Sequence, residues 1–463
     1  MNFTQKITLI LGVLAFLVYY KYFKKEGRNL SFLCLLVITS MMLSKLTWEI
    51  MGRTIRFDQV VSICLFIQFL ILWRTIRSIY LNKYSYLILL TLPFLFFSSL
   101  TVAPAASFSV MKSLLYLPYF AGYIAVTNEL RTEKTVIKAW DFFYKFSAVV
   151  ITLSVVSFFI YQGGINLGTV RNSAGSLWLN GPVIVANIFG STSVIIFTIA
   201  FLKMLYATEQ KKLFNTVALI GSAAGIVLSL TRAAWLGACF TILLIIIFSF
   251  YVKKARATIK PLLLIIGSVV FVLISTRYIS PLLTRSVHFE SSLEGQQRGK
   301  RDTAPSDNIN FGMKSSDVFK EAKQGGWRRE VYELALKEWL ANPILGNGTD
   351  SLIYKYKNIR KYIASTFIAF LHDWGIIALS LHLLFYLFVF IGLVKIVFSR
   401  KMTGLYFVAV SQLIILIVST LMYQVSTPMW LSIYWILLAF YSSTVSVKPE
   451  NRIDSNVKLN VGY

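Results

Sequence analysis

The stretch "NTVALIGSAAGIVLSLTRAAWLGACFTILLIIIFSFYV", residues 215–252, runs for 38 residues with a single charge, Arg232. As one helix it would reach about 57 Å at 1.5 Å per residue, nearly twice the ~30 Å hydrocarbon core of a bilayer. The chain must therefore turn near its middle, and Arg232 stands at that turn. Placed mid-bilayer, an unpaired guanidinium would cost about 2.5–3.5 kcal/mol or more; at a boundary between two spans it costs far less.

Working outward, the whole 463-residue chain repeats this pattern. Hydrophobic residues make up 56% and charged residues 14%, and the mean hydropathy is +0.67. Soluble globular proteins carry about a quarter charged residues, so the composition indicates an integral membrane protein. Spans are expected near 5–22, 30–46, 59–73, 85–102, 108–127, 143–161, 182–205, 214–231, 233–252, 259–276, 365–398, 403–423 and 428–446. The fold expected is an all-α polytopic bundle of about 12–13 transmembrane helices. The first run is read as a retained helix, because no small-residue cleavage site follows it.

The formal charge of +26 does not point to nucleic acid, since no compact basic domain is visible. The cations lie in short loops facing anionic lipid. Loops with Lys24, Arg77, Arg131, Lys211, Lys253 and Arg400 fall on alternate sides and should be cytoplasmic, together with the tail. Arg53 and Arg56, in a loop assigned outside, run against this rule. Cys34, Cys64 and Cys239 lie in apolar runs, which argues against a disulfide framework or zinc site.

This gives an N-terminal transmembrane bundle over 1–276, a large external loop over 277–362, C-terminal transmembrane helices over 363–446 and a cytoplasmic tail over 447–463. The loop's first half is poor in apolar residues. Its second half reads as a helix lying on the external membrane surface. There Val331, Leu334, Ala335 and Trp339 share one face, with Glu338 as a polar intruder. Asn342–Pro343 ends that helix, and Gly346 and Gly348 make a turn.

Arg232, the Gly/Asn-rich loop 162–181 with Arg171, and the basic helix with Arg328 and Arg329 all fall on the external side. Several guanidinium forks at a membrane boundary suit a polyanionic headgroup, because they bind phosphate oxygens bidentately and stay charged. Arg232 could equally be an arginine that snorkels from a helix end. Glu330 reads as an exposed helical carboxylate or a base, and His372 with Asp373 as an interfacial polar cap or a base. No carboxylate cluster typical of magnesium is seen, and no metal or cofactor is expected.

Four segments together resemble the O-antigen ligase and O-antigen/capsule polymerase superfamily of bacterial membrane glycosyltransferases. "TRAAWLG" (231–237) is similar to its Ser/Thr-Arg-x-x-Trp motif. "RREVYELALKEWLANPILGNG" (328–348) is similar to its Arg-x-x-x-aromatic and Asn-Pro-x-x-Gly-x-Gly motif. "STFIAFLHDWGIIAL" (365–379) resembles the helix that follows, and "VRNSAGSLWLNGPVIVANIFG" (170–190) is a looser match. The resemblance covers the C-terminal two-thirds of the chain.

It implies that Arg232 and Arg328, with Arg329 as a register alternative, bind the diphosphate of an undecaprenyl-diphosphate-linked oligosaccharide. Arg171, Glu330 and His372 are the further candidates for contact with substrate. The resemblance also implies a chain-length regulator and a flippase as pathway partners, and the bacterial cytoplasmic membrane as location. Family ligases carry a histidine eleven residues before the glycine matched by Gly375. Here that position is Ala364, which suits a polymerase better than a ligase. A lipid-linked oligosaccharide transporter is the rival from another class, but no repeated halves with broken helices are visible.

Overall fold

The structure is a computed structural model. It describes residues 32–40, 47–50, 53–73, 82–162, 169–173, 176–183, 186–206, 212–251, 258–276, 326–356, 363–399, 404–423 and 431–447, with isolated positions between some of these segments. The expected span at 5–22, the first half of the large loop and the tail beyond 447 lie outside the described residues.

In chain order the elements are α1 (Phe32–Ser40), β1 (Thr47–Ile50), β2 (Arg53–Arg56), α2 (Phe57–Trp73), α3 (Lys83–Leu89), α4 (Thr91–Thr101), α5 (Ala106–Leu114), α6 (Leu117–Glu129) and α7 (Glu133–Gln162). Then come β3 (Val170–Ser173), β4 (Ser176–Leu179), α8 (Ala186–Tyr206), α9 (Lys212–Leu228), α10 (Arg232–Tyr251) and α11 (Ile259–Thr276). The last are α12 (Gly326–Ala341), α13 (Ser351–Lys355), α14 (Thr366–Phe398), α15 (Gly404–Met422) and α16 (Ser432–Ser446). The fold is an all-α polytopic membrane bundle. Six helical segments among the described residues are long and apolar enough to cross a bilayer, and four shorter apolar helices accompany them.

The two halves of the opening stretch have opposite environments, and the side chains explain why. In α9 the small residues Gly221 and Gly225 face the hydroxyl-bearing residues Thr152 of α7 and Ser193 of α8. Close backbone approach of this kind is how helices associate where the solvent is itself apolar. In α10, Leu236, Leu243, Ile247 and Phe250 are exposed, as expected of a face turned to lipid. The window Ala186–Leu205 is 89% buried against 33% for Arg232–Phe250, so α8 is a central helix and α10 a peripheral one. Buried Ser62, Thr127, Thr192 and Thr198 return their hydroxyls to carbonyls four residues back, which satisfies these four donors within their own helices.

Three features depart from the expected layout. The run 108–127 is two helices, α5 and α6, joined at Leu115 and Tyr116. Pro118 in the first turn of α6 lacks the N–H that a continuous helix would need there. The segments 47–56 and 170–179 are antiparallel hairpins rather than loops, with Thr47 opposite Arg56 and Arg171 opposite Trp178. Lastly, Arg56 is not a free loop charge. It is buried and pairs through Nε with the fully buried Asp58 carboxylate at 3.1 Å.

Both hairpins and the Arg232 turn occupy one end of the bundle. The Lys45 amide donates to the Pro182 carbonyl at 3.0 Å, which ties the approach to the first hairpin to the exit of the second. Gly181, at φ +59°, lies against the Phe189 ring, and Gly190 of α8 lies against Ser229 and Ala234. At the opposite end Asp141 of α7 accepts from Lys145, at 2.7 Å, and from Lys203 of α8.

Candidate functional site

The site end is built from three local devices, each traceable to a short motif. The first is the turn that holds Arg232. α9 ends at Leu228, and Leu230 adopts a left-handed φ of +51°. The Thr231 carbonyl accepts the amides of Ala234 and Trp235 at 3.0 and 3.2 Å, which starts α10. The Trp235 indole N–H reaches back to the Ile226 carbonyl at 3.1 Å, satisfying one of the acceptors that a helix C-terminus leaves over. Thr231 and Trp235 thus build the turn, while Arg232 between them is exposed. Thr231 also donates to Asn187 Oδ1 of α8 at 3.4 Å.

The second device is an interlock between the Asn342–Asp350 loop and the start of α14. At Gly375 the helix breaks, with φ +80° and ψ 179°. The loop's backbone fills the break: Asn347 N–H donates to His372 O at 2.7 Å, Gly348 N–H to Asp373 O at 3.0 Å, and Ile376 N–H to Pro343 O at 2.9 Å. A Cβ on Gly346 would lie 2.6 Å from the Gly375 amide nitrogen. The glycines of the Asn-Pro-x-x-Gly-x-Gly motif are therefore required by contact, and Gly346 and Gly348 also need their positive φ of +75° and +88°.

The third device is a buried charge cluster. His372 is fully buried, with Nδ1 2.7 Å from Asp373 Oδ1 and Nε2 3.4 Å from Glu338 Oε2. Glu338 Oε1 also meets Lys355 Nζ at 2.5 Å and accepts from Tyr356 OH at 2.8 Å. This changes the expected register of α12. Its buried face is Val331, Ala335 and Glu338, whereas Trp339 is half-buried and donates its indole N–H to the Pro343 carbonyl. The polar intruder is on the inner face because its partners are there. Leu340 and Ile344, 69% and 59% exposed, face outward.

Burial opposes the charge on Glu338, but the hydrogen bonds from His372, Lys355 and Tyr356 outweigh it and hold the carboxyl at about 2, against an ordinary 4.5. The folded form thus binds this proton less readily than the unfolded chain. The stability it contributes is complete above pH 4.5 and drains away as the pH falls toward 2. Thermal unfolding of detergent-solubilised protein should therefore lose more stability between pH 6 and pH 3 in the wild type than in Glu338→Gln. Equal losses would remove the carboxylate from this role.

Residues 217–383 match the O-antigen ligase family model. No curated protein matches the chain. The match covers a little over a third of the sequence, from α9 past the break in α14, and agrees with the superfamily that the motifs resemble. The O-antigen ligase segment includes all three devices, with Arg232, Arg328 and His372. It leaves out the β3–β4 hairpin with Arg171, and α3 to α5.

The remaining candidates are distributed as follows. Arg328 is half-buried in the first turn of α12. Arg329 is exposed and pairs with Glu333 at 2.6 Å, one helical turn on, and Glu330 is exposed. Arg171 lies on β3 opposite Trp178. Contacts chain the pieces to one end of the bundle: Gly237 of α10 packs on Met422, the Tyr423 carbonyl accepts the Thr366 amide at 2.9 Å, and α12 packs on α14. Glu338, Lys355, Tyr356 and Thr349 had no site role in the sequence reading. The one available signal was Glu338, a carboxylate spaced i+7 and i+3 from apolar Val331 and Ala335. Among the described residues no group of three or more His, Cys, Asp and Glu side chains is arranged to hold a metal ion.

Proposed function

We propose that this multi-pass membrane protein polymerises undecaprenyl-diphosphate-linked oligosaccharide repeat units at the outer face of the bacterial cytoplasmic membrane. The observation that carries the reading is Arg232, held exposed by the Thr-Arg-x-x-Trp turn within an O-antigen ligase-type segment. It stands at the same end of the bundle as the helix with Arg328. In the reaction, an acceptor sugar hydroxyl attacks the anomeric carbon of the donor glycan. The new glycosidic C–O bond forms as the bond to the diphosphate breaks; the hydroxyl proton is released to water, and undecaprenyl diphosphate departs with the electron pair.

Negative charge grows on that diphosphate in the transition state, and guanidinium groups already aimed at it lower the barrier. Arg232 and Arg328 take this role. Arg171 is assigned to glycan or phosphate contact. Arg329 and Glu330, both exposed, border the glycan path, and His372 acts through Glu338 as a positioning residue for α12. The outward Leu340 and Ile344 support α12 lying against the membrane surface.

A ligase reading is favoured by the description of the matched family, and the polymerase reading by Ala364. Purified protein given lipid-linked repeat units alone separates them. Longer lipid-linked chains are expected. A reaction that begins only when a second, different acceptor is supplied would convert the assignment to ligase, and none under either condition would refute it.

A further inference from the structure

The loop that carries the Gly-x-Gly motif is held from a second side, by helices outside the O-antigen ligase segment. Thr349, 1% exposed, sits among hydroxyls of the α4–α5 hairpin. Its Oγ1 lies 2.8 Å from Ser113 Oγ and 3.4 Å from Ser99 Oγ, and it accepts the Trp374 indole N–H at 3.1 Å. Its carbonyl accepts from Ser109 Oγ at 3.0 Å, and its amide donates to Ser99 Oγ at 3.3 Å. Ser99 in turn lies 2.8 Å from Ser113 and 2.9 Å from Ser109. Next to this knot, a Cβ on Gly348 would stand 2.6 Å from Ala103 Cβ and 2.7 Å from Ser109 Oγ. At the surface Lys112 Nζ meets Asp350 Oδ2 at 3.2 Å, and the Asp350 amide donates to Asp373 Oδ2 at 3.3 Å.

Adhesion alone would be served by packed alkyl side chains, which bring no polar group to desolvate. Buried hydroxyls cost free energy unless each is paired. What a fully paired network adds is direction, because it accepts one arrangement of its members and penalises neighbouring ones. The polar chain runs from Ser109 and Ser113 through Thr349 and the loop to His372 and Glu338, and so to the helix that begins with Arg328.

We propose that the α4–α5 hairpin is a positioning arm for the transfer reaction, in which Ser99, Ser109 and Ser113 act through Thr349 to fix the Gly346–Asp350 loop and, beyond it, α12. The role in catalysis rests on the glycosyl-transfer reading above. The experiment uses full-length protein in detergent with undecaprenyl-diphosphate-linked repeat units extracted from the producing cells. Thr349→Val keeps the shape and removes the hydroxyl. It should lower kcat about 10-fold or more, as small misplacements of reacting groups do, while KM stays within about twofold. Thr349→Ser should restore kcat to within about threefold of wild type.

Because Lys112 and Asp350 are partly exposed, Lys112→Glu should fold normally and lower kcat, and the charge swap K112E/D350K should recover it. Amide hydrogen exchange of residues 346–350 should quicken about 10-fold in Thr349→Val and not in Thr349→Ser. That readout needs no turnover, so a wild type inert toward lipid-linked units would remove the transferase reading and leave the positioning claim to be decided by exchange. Wild-type kcat and wild-type exchange in Thr349→Val would overturn the proposal, as would a Thr349→Ser variant no better than Thr349→Val.

Discussion

Replacing Arg232 with alanine should lower the rate of glycan transfer about 10²–10³-fold, the usual cost of removing one pre-aimed group that stabilises transition-state charge. The thermal midpoint should hardly move. Arg232 is exposed and opens α10, where a cation faces the positive end of the helix dipole and costs about 0.3–1 kcal/mol. Loss of an exposed side chain changes stability by about 1 kcal/mol or less, so a large fall in rate with a small shift in midpoint marks a role in the reaction rather than in the fold. Arg232→Lys keeps the charge but loses the two-pronged hydrogen bonding, so its rate should fall between the two. The measurement is turnover of lipid-linked units alongside thermal unfolding of the same preparations. In cells, single repeat units should still reach the outer leaflet while long chains vanish. Wild-type turnover in Arg232→Ala would end the assignment, and repeat units trapped on the cytoplasmic side would favour a transporter.

The second large effect belongs to Gly375→Ala. The new Cβ would sit 2.0 Å from the Ile344 carbonyl oxygen and 2.7 Å from the Gly346 amide nitrogen. Both are backbone atoms that cannot swing aside as a side chain would. The φ of +80° adds about 1–3 kcal/mol of strain for a residue with a side chain. The loop must therefore part from α14, breaking the three backbone hydrogen bonds that join them. Folded yield and thermal midpoint should both drop sharply, and any surviving protein should turn over poorly because α12 has lost its seat. Gly267→Ala provides the control. Nothing lies within 4 Å of that position, and alanine within a helix is better than glycine by about 0.5–1 kcal/mol, so this variant should be as stable as wild type or more so. A Gly375→Ala protein as stable as the control would show that the interlock does not hold the loop.

The spans could be read in the sequence because burial in lipid leaves a signal along the chain itself: long apolar runs, broken where a charge can reach water. The turn at Arg232 followed from length alone. The hairpins did not, since each is a pair of four-residue strands without an alternating pattern long enough to see. The break at Gly375 was hidden because "HDWGIIAL" continues an apolar helix, and the glycine is required there by backbone atoms of Ile344 and Gly346, about thirty residues away, and by a φ that the sequence does not display. Glu338 stood out as a misfit on an apolar face, but its partner His372 is 34 residues away. The hydroxyls of Ser99, Ser109 and Ser113 were more deeply hidden, for serines in membrane helices usually bond to their own backbone. Contacts between segments far apart in sequence leave little local trace, and the candidate site consists mostly of such contacts.

The Asp141 cluster at the far end has a mechanical consequence. One carboxylate holds Lys145 and Lys203 together, and Lys203 also lies over the rings of Tyr144 and Phe407. Three helices, α7, α8 and α15, thereby meet at one point: sliding of α8 along α7 would carry the Lys203 ammonium away from Asp141, whereas Lys145, on the same helix as Asp141, would stay beside it. Displacement of α8 against α7 is therefore resisted at the end of the bundle opposite the Arg232 turn, where this ion pair works as a latch between the two helices.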